Sequence, residues 1–255
     1  MNLVAREDYG AAVTLAREGL ALYPDYASLY YARGRAYAGL GLLARAKTDF
    51  YDALSLDTDL LEAYAALGEV SLQEGSAVTA IRAFLRLLDE QPGDAVASLN
   101  LGRAYLMDLK LQEAVRELEM LQYLHPENRE VDVWLPQAYY LYSLELKGQG
   151  RFKEAMDAHH KAMSLSAGQP RGWVVTALVN AGTAARAHDD YRRSIDYFQL
   201  AIENDPFRAD SYVGLSRTYK AMQDFSRART ALRQALAIDP DHPAAQVELN
   251  RIAGP

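Results

Sequence analysis

Between Ala209 and Pro240, apolar and small side chains recur at helical spacing in two runs separated by a short polar break. Tyr212, Leu215 and Tyr219, with the small Ser216 among them, share one face of a first helix, and Ala228, Leu232 and Ala235 share one face of a second. Gln223-Asp224 supplies the turn and Pro240 the stop. Moved towards the N-terminus in steps of about 34 residues, this ruler finds the same alternation again. Residues 27–60 carry Tyr30, Gly34, Tyr37, Ala46, Phe50 and Ala53, and residues 61–94 carry Tyr64, Leu67, Gly68, Ala80, Phe84 and Pro92. Residues 95–128 follow with Leu101, Gly102, Tyr105, Ala114, Leu118 and Pro126.

The next two segments are longer. In 129–169 the second helix is clear around Ala155, but seven surplus residues, Arg129 to Leu135, precede the first. Two readings are open: Pro136 opens that helix at its first position, or one helix runs from Arg129 with a kink at Pro136. In 170–208 a surplus loop, Gly168 to Gly172, precedes a helix from Val175, with Gly182, Ser194, Phe198, Ala201 and Pro206 in register. After 209–242, residues 243–255 read as a capping helix whose Glu248 and Arg251 face water. At the other end, Tyr9 to Pro24 fits a second helix, with Ala12 and Ala16 in register and only Met1 to Arg6 left for a first; residues 1–26 are thus a partial repeat. That predicts either an excised domain or an incomplete layer that a partner, such as a second copy, completes.

These residues resemble the tetratricopeptide repeat, a 34-residue helix–turn–helix pattern of an aromatic, Leu and a small residue, then Tyr, Ala, an aromatic, Ala and Pro. The stretch that served as ruler departs from it at Ser216 for Gly and Leu232 for Phe. The resemblance covers nearly the whole chain. It implies an all-α, right-handed solenoid of about six repeats plus the partial repeat and the cap, in one domain spanning 1–255. Gly34, Gly68, Gly102 and Gly182 face small Ala residues because the paired helices approach closely there, and Phe50, Phe84 and Phe198 fill the space between layers.

Composition narrows the function classes. Half of the 255 residues are apolar, enough for a sizeable core, yet no apolar run is long enough to cross a bilayer. With no Cys there is neither disulfide nor thiolate chemistry. Twenty-seven Lys and Arg against 34 Asp and Glu, a formal charge of −7, argue against a duplex nucleic-acid binder. No secretory leader is visible, and a cytoplasmic location is the expectation, with a periplasmic or membrane-attached parent as the alternative if the N-terminus is truncated. Catalysis finds no support. His159 and His160 point apart on a helix, with His159 expected in the core at the aromatic slot, and Asp157 with His160 reads as a solvated face. Gly148-Gln149-Gly150 reads as a turn rather than a phosphate loop. No enzyme, metal site or cofactor is expected.

By resemblance, four slots on the first helix of each repeat line a concave groove. These give Tyr31 and Arg35; Leu99, Arg103 and Leu106; Tyr140 and Lys147; Arg186; and Arg217 and Lys220, with Glu62, Glu69 and Asp210 as the acidic members. Asn100 and Asn180 occupy the slot where related superhelices hold a peptide backbone. The basic excess among apolar neighbours suits an acidic or extended peptide from a protein partner. On this reading Arg103→Glu with Arg217→Glu weakens partner binding. Two other readings stand beside this scaffold: a regulatory or substrate-recruiting module of a larger enzyme or transcription regulator, and a structural protein that self-assembles.

Overall fold

Residues 8–167 and 172–253 are described by a computed structural model, and in them the chain forms helices joined by short turns. The first helix, α1 (Tyr9–Leu22), is followed by α2 (Ala27–Gly39) with α3 (Leu43–Leu56), α4 (Leu61–Glu74) with α5 (Ala77–Glu90), and α6 (Ala95–Met107) with α7 (Leu111–Leu124). Then come α8 (Val131–Gly148) with α9 (Phe152–Leu165), α10 (Gly172–Ala187) with α11 (Tyr191–Asn204), α12 (Ala209–Ala221) with α13 (Phe225–Ile238), and finally α14 (Pro243–Ala253). The all-α fold and the helix pairs are those the hydrophobic spacing predicts.

The chain packs as two compact units: unit 1 comprises Met1–Asp108 and Arg116–Val131, and unit 2 comprises Leu109–Val115 and Asp132–Pro255. The repeat ruler alone reads an uninterrupted series, whereas the packing divides within α7. Inside unit 1, neighbouring helices pack in sequence from α1 to α6. Inside unit 2, the same holds from α10 to α14.

Glycine at the close approaches is explained by what a Cβ would meet. At Gly34 it would come within 2.6 Å of the Phe50 ring, and at Gly68 within 2.5 Å of Phe84. Phe198 is flanked by two such positions, Gly182 and Gly214, where a Cβ would lie 2.9 and 2.1 Å away. Where Ser216 replaces the glycine, Leu232 replaces the Phe; both are buried, and the Ser216 hydroxyl donates to the Val213 carbonyl at 2.7 Å. Ser194, in an Ala slot, likewise donates to the Gly182 carbonyl at 2.8 Å and lies 2.8 Å from the Thr218 hydroxyl. These two buried hydroxyls therefore have partners, without which each would cost about 1–3 kcal/mol.

One residue in each intra-repeat turn is left-handed: Gly41, Gly75, Leu109, Gly150, Asp189 and Gln223, with φ from 56° to 79°. Three of the six are not glycine, and each of these carries roughly 1–2 kcal/mol of local strain. The turn thus dictates the backbone even where the residue does not favour it. Between repeats, the residue ahead of proline leaves the helical region, as at Asp205 (φ −146°, ψ 92°) and Asp239 (φ −131°, ψ 94°).

The two long segments begin close to where the spacing places them. Helix α8 starts at Val131 and runs through Pro136, so one helix passes the proline, begun two residues later than Arg129. Val131, Leu135 and Ala138 are buried at helical spacing, and that stripe carries the helix across the ring at its sixth residue, where one backbone hydrogen bond, to the Asp132 carbonyl, is given up. Helix α10 begins at Gly172, three residues ahead of the expected Val175. The surplus before it, Gly168 to Arg171, lies outside the described residues, as does the Met1 to Arg6 stretch. Helix α1 keeps Ala12 and Ala16 buried and seats Tyr9 against Gly39.

Candidate partner-binding surfaces

In unit 1, Tyr31 and Arg35 lie one turn apart on α2. Tyr31 rests against Phe50 with ring centroids 6.0 Å apart, and its hydroxyl accepts from Arg35 Nη1 at 3.0 Å. The guanidinium also lies 5.9 Å from the Tyr31 ring centroid, so the phenol fixes an exposed cation in place. On α6, Leu99 and Asn100 are 5% and 7% exposed. The Asn100 side-chain oxygen accepts from Arg103 Nη1 at 2.8 Å. Leu99 is therefore a packing residue, and Asn100 orients Arg103 rather than offering its carbonyl outward. Arg103 and Leu106 are half-buried.

In unit 2, Tyr140 on α8 is buried, which raises its phenol pKa. It stands between His159 and Trp173, each with ring centroids 5.8 Å away. His159 is exposed and lies against Tyr140, which corrects the expectation of a core histidine: Tyr140 takes the apolar space and leaves the polar ring to water. Lys147 and Asn180 are exposed on α8 and α10.

Arg186, Arg217 and Lys220 come together. Arg186 sits in the last turn of α10, and Arg217 and Lys220 are one turn apart at the end of α12. With Ala221 and Glu248 they line an open cleft of about 470 Å³. Burial, reinforced by the charge of Arg217, lowers the Arg186 pKa, and its Nε is buried without a hydrogen-bond partner. The sequence names these three cations among the groove residues, without singling them out, and the fourth charged member was missed. Glu248, expected in water, is 9% exposed: Lys220 Nζ donates to its Oε2 at 2.7 Å, and Arg217 Nε lies 3.5 Å from its Oε1. The Lys220 hydrogen bond, followed by the charges of Lys220, Arg217 and Arg251, holds its carboxyl below the usual range. A signal existed, because Glu248 stands two 34-residue steps past Asn180 in the same repeat slot. Reversing Arg217 to Glu would therefore set two carboxylates together and disturb α14, so Arg186 is the better position to probe.

Among the described residues, no three His, Cys, Asp or Glu side chains are grouped to hold a metal ion, and no helix is long and apolar enough to cross a membrane.

Stacked helix pairs with small residues at their crossings define an α-helical repeat protein. Models of the tetratricopeptide repeat match residues 27–60, 66–129 and 185–249, and the chain belongs to the tetratricopeptide repeat family. Over 98 residues it is 32% identical to the general transcriptional corepressor ssn6 of Schizosaccharomyces pombe, a match covering 37% of this chain and only 9% of that relative's length. A tetratricopeptide repeat protein from Parabacteroides merdae superposes with a TM-score of 0.53 at 14% identity, covering 99% of this chain and 95% of that one. MamA, residues 41 to the end, from Desulfovibrio magneticus RS-1 gives 0.53 at 24% identity, covering 66% and 90%. At such identities the likeness is one of fold. Repeats of this family generally mediate protein–protein interaction.

Proposed function

We propose that the chain is a non-catalytic scaffold that holds an acidic, extended segment of a partner protein, with the cleft of unit 2 taking the acidic side chains. The observation that carries this is the meeting of Arg186, Arg217 and Lys220, from two successive first helices, around one open cleft that contains a single carboxylate. Guanidinium groups pair with carboxylates through two parallel hydrogen bonds, and the Arg186 guanidinium has no ion pair among the described residues, so an arriving carboxylate can pair with it.

Fluorescence anisotropy of fluorescein-labelled hexaglutamate amide tests the reading. The expected result is saturable binding that weakens as salt rises and that falls roughly tenfold in Arg186→Gln, equivalent to about 1.4 kcal/mol. Equal affinity in the variant, with helicity retained, contradicts it.

A further inference from the structure

The carboxylate already in the cleft belongs to the protein itself. Helix α14 is seated independently of it: Ala245, Leu249 and Ile252 pack with Ala209, Val213, Leu232 and Ala235. At its start, His242 Nδ1 accepts from the Ala245 backbone N–H at 3.3 Å, and His242 Nε2 lies 3.2 Å from Asp210 Oδ1. Glu248 is thus a flexible side chain on a fixed platform, and its carboxylate can leave Lys220 and Arg217 for solvent without undocking the helix. Glu248 pairs with Lys220 and Arg217, so one carboxylate satisfies the α12 cations while Arg186 has no ion pair among the described residues.

We propose that Glu248 is a built-in competitor for the cleft. In the free protein it holds Lys220 and Arg217, and an acidic segment of a partner binds by displacing it. This rests on the proposed function above and adds a selectivity. A ligand with one carboxylate merely exchanges one charge for another at Lys220, with little gain. A run of Asp or Glu side chains replaces Glu248 and reaches Arg186 as well. The occupant is therefore a segment with several acidic side chains in succession, and the cleft rejects isolated ones.

The labelled hexaglutamate amide is titrated into wild type, Glu248→Gln, Glu248→Asp and Glu248→Gln/Lys220→Gln, with far-UV circular dichroism on each. Glu248→Gln is expected to bind about fivefold tighter than wild type, because an ion pair of this exposure is worth no more than about that factor. Glu248→Asp, which draws the carboxylate back by one methylene, falls between the two, and adding Lys220→Gln reverses the gain. Hexaglutamate with a free C-terminus should bind as the amide does; a marked preference for the free acid overturns the assignment to side chains. Wild-type binding with equal or weaker binding by both Glu248 variants overturns the competitor and leaves the cleft standing. No binding by any of the proteins overturns the cleft and the competitor together. Should Glu248→Gln lose helicity, Glu248→Asp alone decides between the first two outcomes.

Discussion

Unit 1 carries 19 acidic and 11 basic residues and unit 2 carries 15 and 16, although both are built from the same helix pair. The difference extends to how charges are placed. Unit 1 uses its most buried pair for structure: Arg33 donates from Nε and Nη2 to both oxygens of Asp49, at 2.8 and 2.7 Å, tying α2 to α3. Its first-helix face mixes Arg35 with exposed Glu62 and Glu69. Unit 2 gathers cations at the ends of α10 and α12 and leaves them open to solvent, with Glu248 as their counter-charge. The apolar and glycine slots that make the fold are thus separable from the charges that select a partner, and one repeat frame carries both arrangements.

The comparison breaks first at the cores. Phe84→Ala in unit 1 and Phe198→Ala in unit 2 each empty a fully enclosed aromatic site and should cost about 3–5 kcal/mol in denaturant unfolding. Phe198 stands between two glycines rather than one, so the unit 2 variant should be the more damaging; equal losses would deny that it links two layers. Next is Asp49→Ala, which strands Arg33 with its side chain only 20% exposed. A loss of about 2–3 kcal/mol is expected, and a loss below that of an ordinary surface pair would remove its structural role.

Two isosteric changes should then act with opposite signs. Burial holds the Glu117 carboxyl of unit 1 above its ordinary pKa of 4.5, with a Ser98 hydrogen bond opposing. Burial penalises its ionised form, so Glu117→Gln should raise Tm at pH 7 and lose that advantage as pH falls through the raised folded-state value towards 4.5. Glu248 of unit 2 is held below 4.5. Its contribution is full above the unfolded-state value and disappears as pH falls through the lower folded-state value, so Glu248→Gln should lower Tm at pH 7 and match wild type in acid. Thermal melts from pH 3 to 7 check both signs. Smallest is Gln223→Gly, which relieves a left-handed side chain but adds chain entropy to the unfolded state; a net stabilisation of up to about 1 kcal/mol is expected.

Much of this architecture was legible in the sequence because helix pairing is written in spacing. Gly68 opposite Phe84 and the prolines after α5, α11 and α13 are local features with local consequences. Register also names Arg186, Arg217 and Lys220 among the groove residues, without singling them out. What escaped depended on neighbours. Of the two readings of Pro136, the one that places it within a helix holds because a buried stripe outweighs one lost hydrogen bond. Asn100 turned to Arg103 because the guanidinium on the next turn of α6 is its nearest donor. Leu109, Asp189 and Gln223 adopt a turn geometry that their residue types do not favour. Glu248 looked like one more charge on a solvated cap until α12 supplied its two partners.

On the proposed function, unit 2's cleft, rather than the acidic face of unit 1, receives an acidic segment. Backbone-amide NMR of the ¹⁵N-labelled protein titrated with hexaglutamate amide tests it most directly. Shifts are expected to concentrate around Arg186, Arg217, Lys220 and Glu248 while the amides of α2 and α4 stay still. Shifts centred on α2 and α4, or spread evenly over every exposed cation, would contradict it.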